Sequence, residues 1–191
     1  MKKITLTICA VLLFTCLTNL HAQTDAEMKK WMEYMTPGDV HKMIAKSDGE
    51  WNAEMTSWMA ADAQPTKMTS TCTNKMIMGG RYQEATFTGS FNGMPFEGKS
   101  TLAYDNALKK FISTWIDNMG TGITMMEGNW DDATKSLNTK GKTIDPSTGK
   151  EMIIREVFKM IDDNTQTIEM YMTQKGGKEY KSMEIKLTRK A

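Results

Sequence analysis

From Gly49 to the C-terminus, turn signals recur at a near-constant interval, and that regularity constrains the fold more than any other feature of the chain. They fall at "DAQP" (62–65), Gly79-Gly80, Asn92-Gly93, Asp105-Asn106, Gly120-Thr121-Gly122, Asp131-Asp132, "DPSTG" (145–149), Asp163-Asn164 and Gly176-Gly177. Asn-Gly and Gly-Gly suit the tight turns that join antiparallel strands. Nine turns delimit ten strands. At about fourteen residues per step, each strand has about ten residues, or about 33 Å of extended chain. Successive long hairpins with no helix between them predict an all-β antiparallel meander of about ten strands. So long a sheet is expected to close into a barrel, because closure removes exposed edges.

The N-terminal part reads differently. Residues 23–48 form a short helical segment, and residues 49–191 are the barrel domain. Met28, Trp31, Met32 and Met35 fall at i, i+3, i+4 and i+7, one face of a helix. Pro37 and Gly38 break it, and Asp39 caps a second short helix ending near Lys46. The plain expectation is that the Met-Trp stripe packs against the rest of the domain; the functional one is a face for a partner or lipid.

Residues 1–22 read as a signal peptide. Lys2 and Lys3 make a basic start, and Ile4 to Leu17 is an apolar run too short to span a bilayer as a stable helix. Small Ala22 marks the expected cleavage point. The chain is therefore expected in the periplasm or outside the cell, with no transmembrane segment once the signal is removed. A minor alternative is a lipid anchor on Cys16, though Thr15 is a poor residue before such a site. Removing the signal takes away Lys2 and Lys3, so the formal charge falls from +1 to −1. A near-neutral chain with scattered lysines argues against a nucleic-acid partner. The sequence specifies no oligomeric state.

The same cut removes much chemistry. Cys72 remains as the single cysteine, so no internal disulfide is possible, and His41 remains as the single histidine. One histidine in "TPGDVHKMIAK", expected on an exposed helix, leaves little room for a nucleophile triad or a zinc site. "GTG" lacks the Lys-Ser/Thr of a phosphate loop. Nineteen methionines raise the thought of Cu(I), but most stand where a core wants an apolar residue. No metal or cofactor is expected. Cys72 reads as an inert buried thiol.

Alternation sorts the strand faces. Trp51, Ala53, Met55 and Met59 point inward first. Further on, Phe111, Ser113, Trp115 and Asp117 share a face, as do Ile168, Met170 and Met172. The inferred interior is rich in methionine, which suits an adaptable pocket. Asn74, Gln83, Asp117, Glu156 and the arginines would be costly in a filled apolar core but tolerable beside a water-containing lumen. Arg81 and Arg155 are candidate head-group contacts for an anionic ligand. Trp115, Asp117, Met170 and Met172 are candidate lining residues. Trp51 and Arg189 have a structural role, since the first and last strands meet in a closed barrel and a cation–π stack follows. A carboxylate enzyme using Asp117, Glu127 and Glu156 at the barrel mouth is the alternative. A structural or interaction module is the third reading.

"GGRY", "GMPFEG", "YDNALKKFISTWIDNMGTG", "DPSTGK" and "MEIKLTRK" resemble the bacterial proteins grouped as the DUF1579 family, over roughly Thr36 to Lys190. The resemblance implies a calycin-type barrel, similar in shape to lipocalins, with "GEW" and Arg189 in matching places. It implies no catalytic residues. A nitrobindin-type haem barrel is a more distant likeness; it uses a late histidine, and Ile168 to Arg189 contains none. The expected function is an exported barrel that binds a small lipophilic or anionic molecule in its lumen.

Overall fold

The computed structural model describes residues 24–174 and 176–190. The expected signal peptide and Cys16 lie outside them. Residues 24–35 form helix α1, which belongs to a compact unit of its own ending at Thr36; Met28, Trp31, Met32 and Met35 are exposed on it. The second unit begins at Pro37 and contains everything else described below.

Ten strands close into one antiparallel barrel. They are β1 (Gly49–Ser57), β2 (Thr66–Ile77), β3 (Tyr82–Phe91), β4 (Met94–Asp105), β5 (Lys110–Asp117), β6 (Thr124–Asp131), β7 (Ser136–Ile144), β8 (Glu151–Asp162), β9 (Thr165–Gln174) and β10 (Tyr180–Arg189). Each pairs with the next in sequence, and β10 returns to β1 with Trp51 opposite Arg189 and Ser57 opposite Met183. Every ladder is used, so no edge is left for another chain to extend.

The alternation read from sequence is realised as burial. On β1, Trp51, Ala53 and Met55 are buried between exposed Asn52 and Glu54. They join Cys72, Phe87 and Leu187 in one apolar cluster. Each large apolar side chain among them contributes about 1.5–3 kcal/mol on burial, which fixes the register against a one-residue slip. Gly128 on β6 and Gly141 on β7 face inward where the strands crowd; a Cβ there would strike the backbone carbonyls of Asn138 and Met125.

One end of the barrel is closed by helix α2 (Asp39–Ala45). Its Ile44 is 2% exposed and clusters with Phe111 and Leu137, while Val40 and Met43 add to the plug. His41, expected on an exposed helix, is instead buried. Its Nδ1 accepts from the Gly38 amide at 3.1 Å, and its ring meets Tyr104 edge-on at 5.9 Å. The correction has a simple cause: a seven-residue helix has little stability alone, so it forms because its apolar side seals the barrel.

Candidate functional site

The plug defines a blind cavity. A lumen of about 700 Å³ runs from α2 to the opposite end, where Trp58, Met59, Met119 and Pro146 on the connecting loops frame a mouth. Met59 was expected inside the first strand; it lies just beyond β1 and is exposed at the rim. Apolar side chains dominate the wall, methionines and aromatic rings foremost, with Met126, Met170 and Met172 among them. No lysine, arginine or histidine is among the described residues that line it.

Besides the arginines, four polar side chains were expected to be costly inside. Three have partners. Gln83 donates from Nε2 to the Ile44 carbonyl (3.0 Å) and to Asp48 Oδ1 (2.7 Å), and accepts from Ser47 Oγ (3.2 Å). Asn74 donates to the Ser47 carbonyl at 3.0 Å and its Oδ1 meets the Cys72 thiol at 3.2 Å. These two amides therefore anchor the end of α2 and the segment that follows it, where the Ile44 carbonyl also accepts from the Ser47 amide and the Ser47 carbonyl from Trp51 Nε1. Burial pushes the Cys72 thiol up to about 12, so it is not a nucleophile near neutral pH.

Asp117 works at the mouth. It accepts from Trp115 Nε1 at 2.7 Å and from the Met119 amide at 2.9 Å. Trp115 itself lies against Gly98, whose missing side chain would otherwise sit 2.5 Å from the indole, and meets Phe87 edge-on at 5.5 Å. The pair thus sets one ring of the lumen wall and pins the loop 118–123.

Glu156 is the exception. It lies mid-strand on β8, faces the lumen, and has no hydrogen bond or ion pair among the described residues. Thr139 and Met170 are its ladder neighbours, and neither is charged. Part of its surface meets the lumen, yet protein surrounds it on all sides, and this burial pushes its carboxyl up to about 7. Two further lumen groups lack partners among the described residues, Ser113 Oγ and Gln166 Oε1. Gln166 escaped the sequence reading, although the alternation through Ile168, Met170 and Met172 already pointed one step back to it.

The arginines stand elsewhere, which corrects the anionic-head-group expectation. Arg81 sits exposed in the β2–β3 turn and donates to the Met78 carbonyl at 3.1 Å. Arg155 is on the outer face of β8, bidentate to Glu179 at 2.7 and 3.0 Å and 4.0 Å above the Tyr171 ring. Neither lines the cavity. Arg155→Ala is accordingly expected to cost about 1 kcal/mol, the sum of a surface ion pair and a stacked cation. Its urea midpoint should fall slightly while binding in the lumen stays unchanged; a binding loss would return Arg155 to the site. Glu127 also points outward, paired with Lys110 at 2.8 Å, so the three carboxylates of the enzyme reading do not share one site.

Among the described residues no group of three or more His, Cys, Asp or Glu side chains is placed to hold a metal ion. No helix among them is long and apolar enough to cross a membrane.

A family model described as "Protein of unknown function (DUF1579)" matches residues 36–189. No curated protein matches. Among solved structures, the chain is similar to Rv2717c from M. tuberculosis, with 11% identity, a TM-score of 0.58, and coverage of 82% of this chain and 100% of that one. A redesigned beta barrel is also similar, at 14% identity and a TM-score of 0.40, covering 78% of this chain and 95% of the other. The first likeness speaks to the barrel fold alone.

Proposed function

Since the chain belongs to the DUF1579 family, whose description assigns no function, we propose its role from the lumen: an exported barrel that holds a small lipophilic molecule. The observation that carries this reading is a cavity of about 700 Å³, closed at one end and walled mostly by apolar side chains, with methionines and aromatic rings the largest groups among them. That size falls within the range of small-molecule pockets, about 300–1,000 Å³. Flexible thioethers allow the wall to fit an apolar body without a rigid template. Export rests on the basic start and short apolar run of residues 1–22. The anionic branch of the expectation loses its support, because no cationic side chain faces the lumen among the described residues.

N-phenyl-1-naphthylamine, a neutral apolar fluorophore, gives the test. Saturable, roughly one-to-one binding with a rise in emission is the expected result. Met170→Trp, which fills the lumen from β9, should weaken it by about tenfold or more. An absence of saturable binding, or binding indifferent to that substitution, would overturn the reading.

A further inference from the structure

The charged groups of the lumen wall are all acidic. The described lining includes three carboxyl groups, Asp117, Asp145 and Glu156, and no basic side chain. Asp145 is held below the usual carboxylate range by the Ser147 and Thr148 hydroxyls of its own loop. Asp117 is engaged by Trp115 and the Met119 amide. Glu156 alone has nothing to bind, and it lies deeper than the other two, halfway along β8.

We propose that Glu156 receives the ammonium head of a lipophilic amine whose apolar body lies along the methionine and aromatic wall. This rests on the reading of the barrel as a ligand holder and narrows its cargo to organic cations. A carboxylate without a counter-charge inside a protein is expensive, and a bound cation removes that expense. Gln166 Oε1 and Ser113 Oγ also have no partner among the described residues. Gln166, however, stands four residues along β9 from Met170, the ladder partner of Glu156, so one head group does not reach both Glu156 and Gln166. Gln166 is 3% exposed and Ser113 is 7% exposed, so both are committed to the interior. An ammonium head pairs with Glu156, whereas a carboxylate head would meet it as a like charge. Aromatic faces at Phe111, Trp115 and Phe158 add favourable surfaces for a cation.

The interaction depends on Glu156 being ionised, so it depends on pH. The groups packed around Glu156 leave that titration to it: β7 presents Thr139 and β9 presents Met170, and the other titratable groups on the lumen wall are Cys72, Asp117, Asp145 and Tyr180. Burial places the Glu156 carboxyl near 7, so it is charged at pH 8.5 and protonated at pH 5.5.

Octylamine, 1-octanol and octanoate share one apolar body and differ in the head. Each is titrated against N-phenyl-1-naphthylamine bound to the protein at pH 8.5 and 5.5. An alkylamine stays cationic at both. At pH 8.5 octylamine is expected to bind about tenfold or more tighter than octanol, and octanoate weakest. At pH 5.5 most of that preference should vanish. Glu156→Gln should abolish the pH dependence, which separates Glu156 from Asp117 and Asp145; the wild-type profile alone decides if that variant fails to fold. Equal binding of all three probes, or tighter octanoate, overturns the amine proposal and leaves the ligand-holding reading intact. Failure of the fluorophore itself to bind overturns both.

Discussion

Trp51→Ala is expected to lower the unfolding free energy by about 3–5 kcal/mol, the range for deleting a buried tryptophan. Trp51 is 0% exposed and sits where the barrel closes, opposite Arg189 across the β1–β10 ladder. Its Nε1 donates to the Ser47 carbonyl at 3.0 Å, and the Arg189 guanidinium lies 4.2 Å above its ring. Arg189 in turn donates to the carbonyls of Lys46, Asp48 and Asp163 at 2.8, 2.6 and 2.9 Å. Gly49, at φ 123°, makes room for this, since a Cβ there would stand 2.8 Å from Nη1. One tryptophan and one arginine thus hold the first strand, the last strand and the segment after α2 together. Arg189→Met keeps much of the stem and loses the stack and three bonds, so about 2 kcal/mol is expected. Because the two side chains touch, the double variant should cost less than the two losses added, by about 1 kcal/mol. Urea unfolding followed by tryptophan emission reads all three. A Trp51→Ala loss under about 1 kcal/mol would mean that closure does not depend on this corner.

The barrel was legible because its signal is repetitive. Ten alternating segments separated by turn residues carry the same message many times, so an error at one strand leaves the topology standing. Single turns were less transparent. Gly79, Gly80, Gly93 and Gly176 do adopt positive φ, but Gly120 and Gly122 do not, and the left-handed positions in two other turns fall on Lys109 and Lys135. In those turns Asp105 and Asp131 accept backbone amides two or three residues on, and the side-chain turn replaces the glycine. The site was half legible. Period two places Trp115, Asp117, Met170 and Met172 on the lumen wall. It cannot tell a residue inside a strand from one in the turn beside it, which is why Arg81 faces solvent. Nor does alternation reveal partners. Asn74, Gln83 and Glu156 read alike as inward polar residues, and only the docking of α2 supplies carbonyls to two of them and none to the third. His41 followed the same logic in reverse: a short polar-looking helix became buried because it had a barrel end to cover.

Glu156→Gln is expected to stabilise the protein above pH 7 by up to about 3 kcal/mol, which converts the rise of its carboxyl from 4.5 to about 7 into free energy. Between those two values the folded state holds a proton that the unfolded state has released. Unfolding is then accompanied by net proton release, so raising the pH favours it. The stability linked to protonated Glu156 is therefore fully present below pH 4.5, shrinks as pH rises through about 7, and is gone above that. His41 works with the opposite sign. Burial holds its pKa below the ordinary 6.5, so its contribution is present above that value and lost as the pH falls further. The difference between wild type and Glu156→Gln cancels His41 and every other group the two chains share. Plotted from pH 4.5 to 8.5, that difference should start near zero and grow in favour of the amide, with most of the change between pH 5.5 and 7.5. A saturating octylamine concentration at pH 8.5 should restore wild-type stability towards that of Glu156→Gln, because the ammonium supplies the charge that the lumen lacks. A flat difference curve would mean that Glu156 ionises inside the barrel as freely as in water, and the unpaired carboxyl would no longer single out a cationic guest.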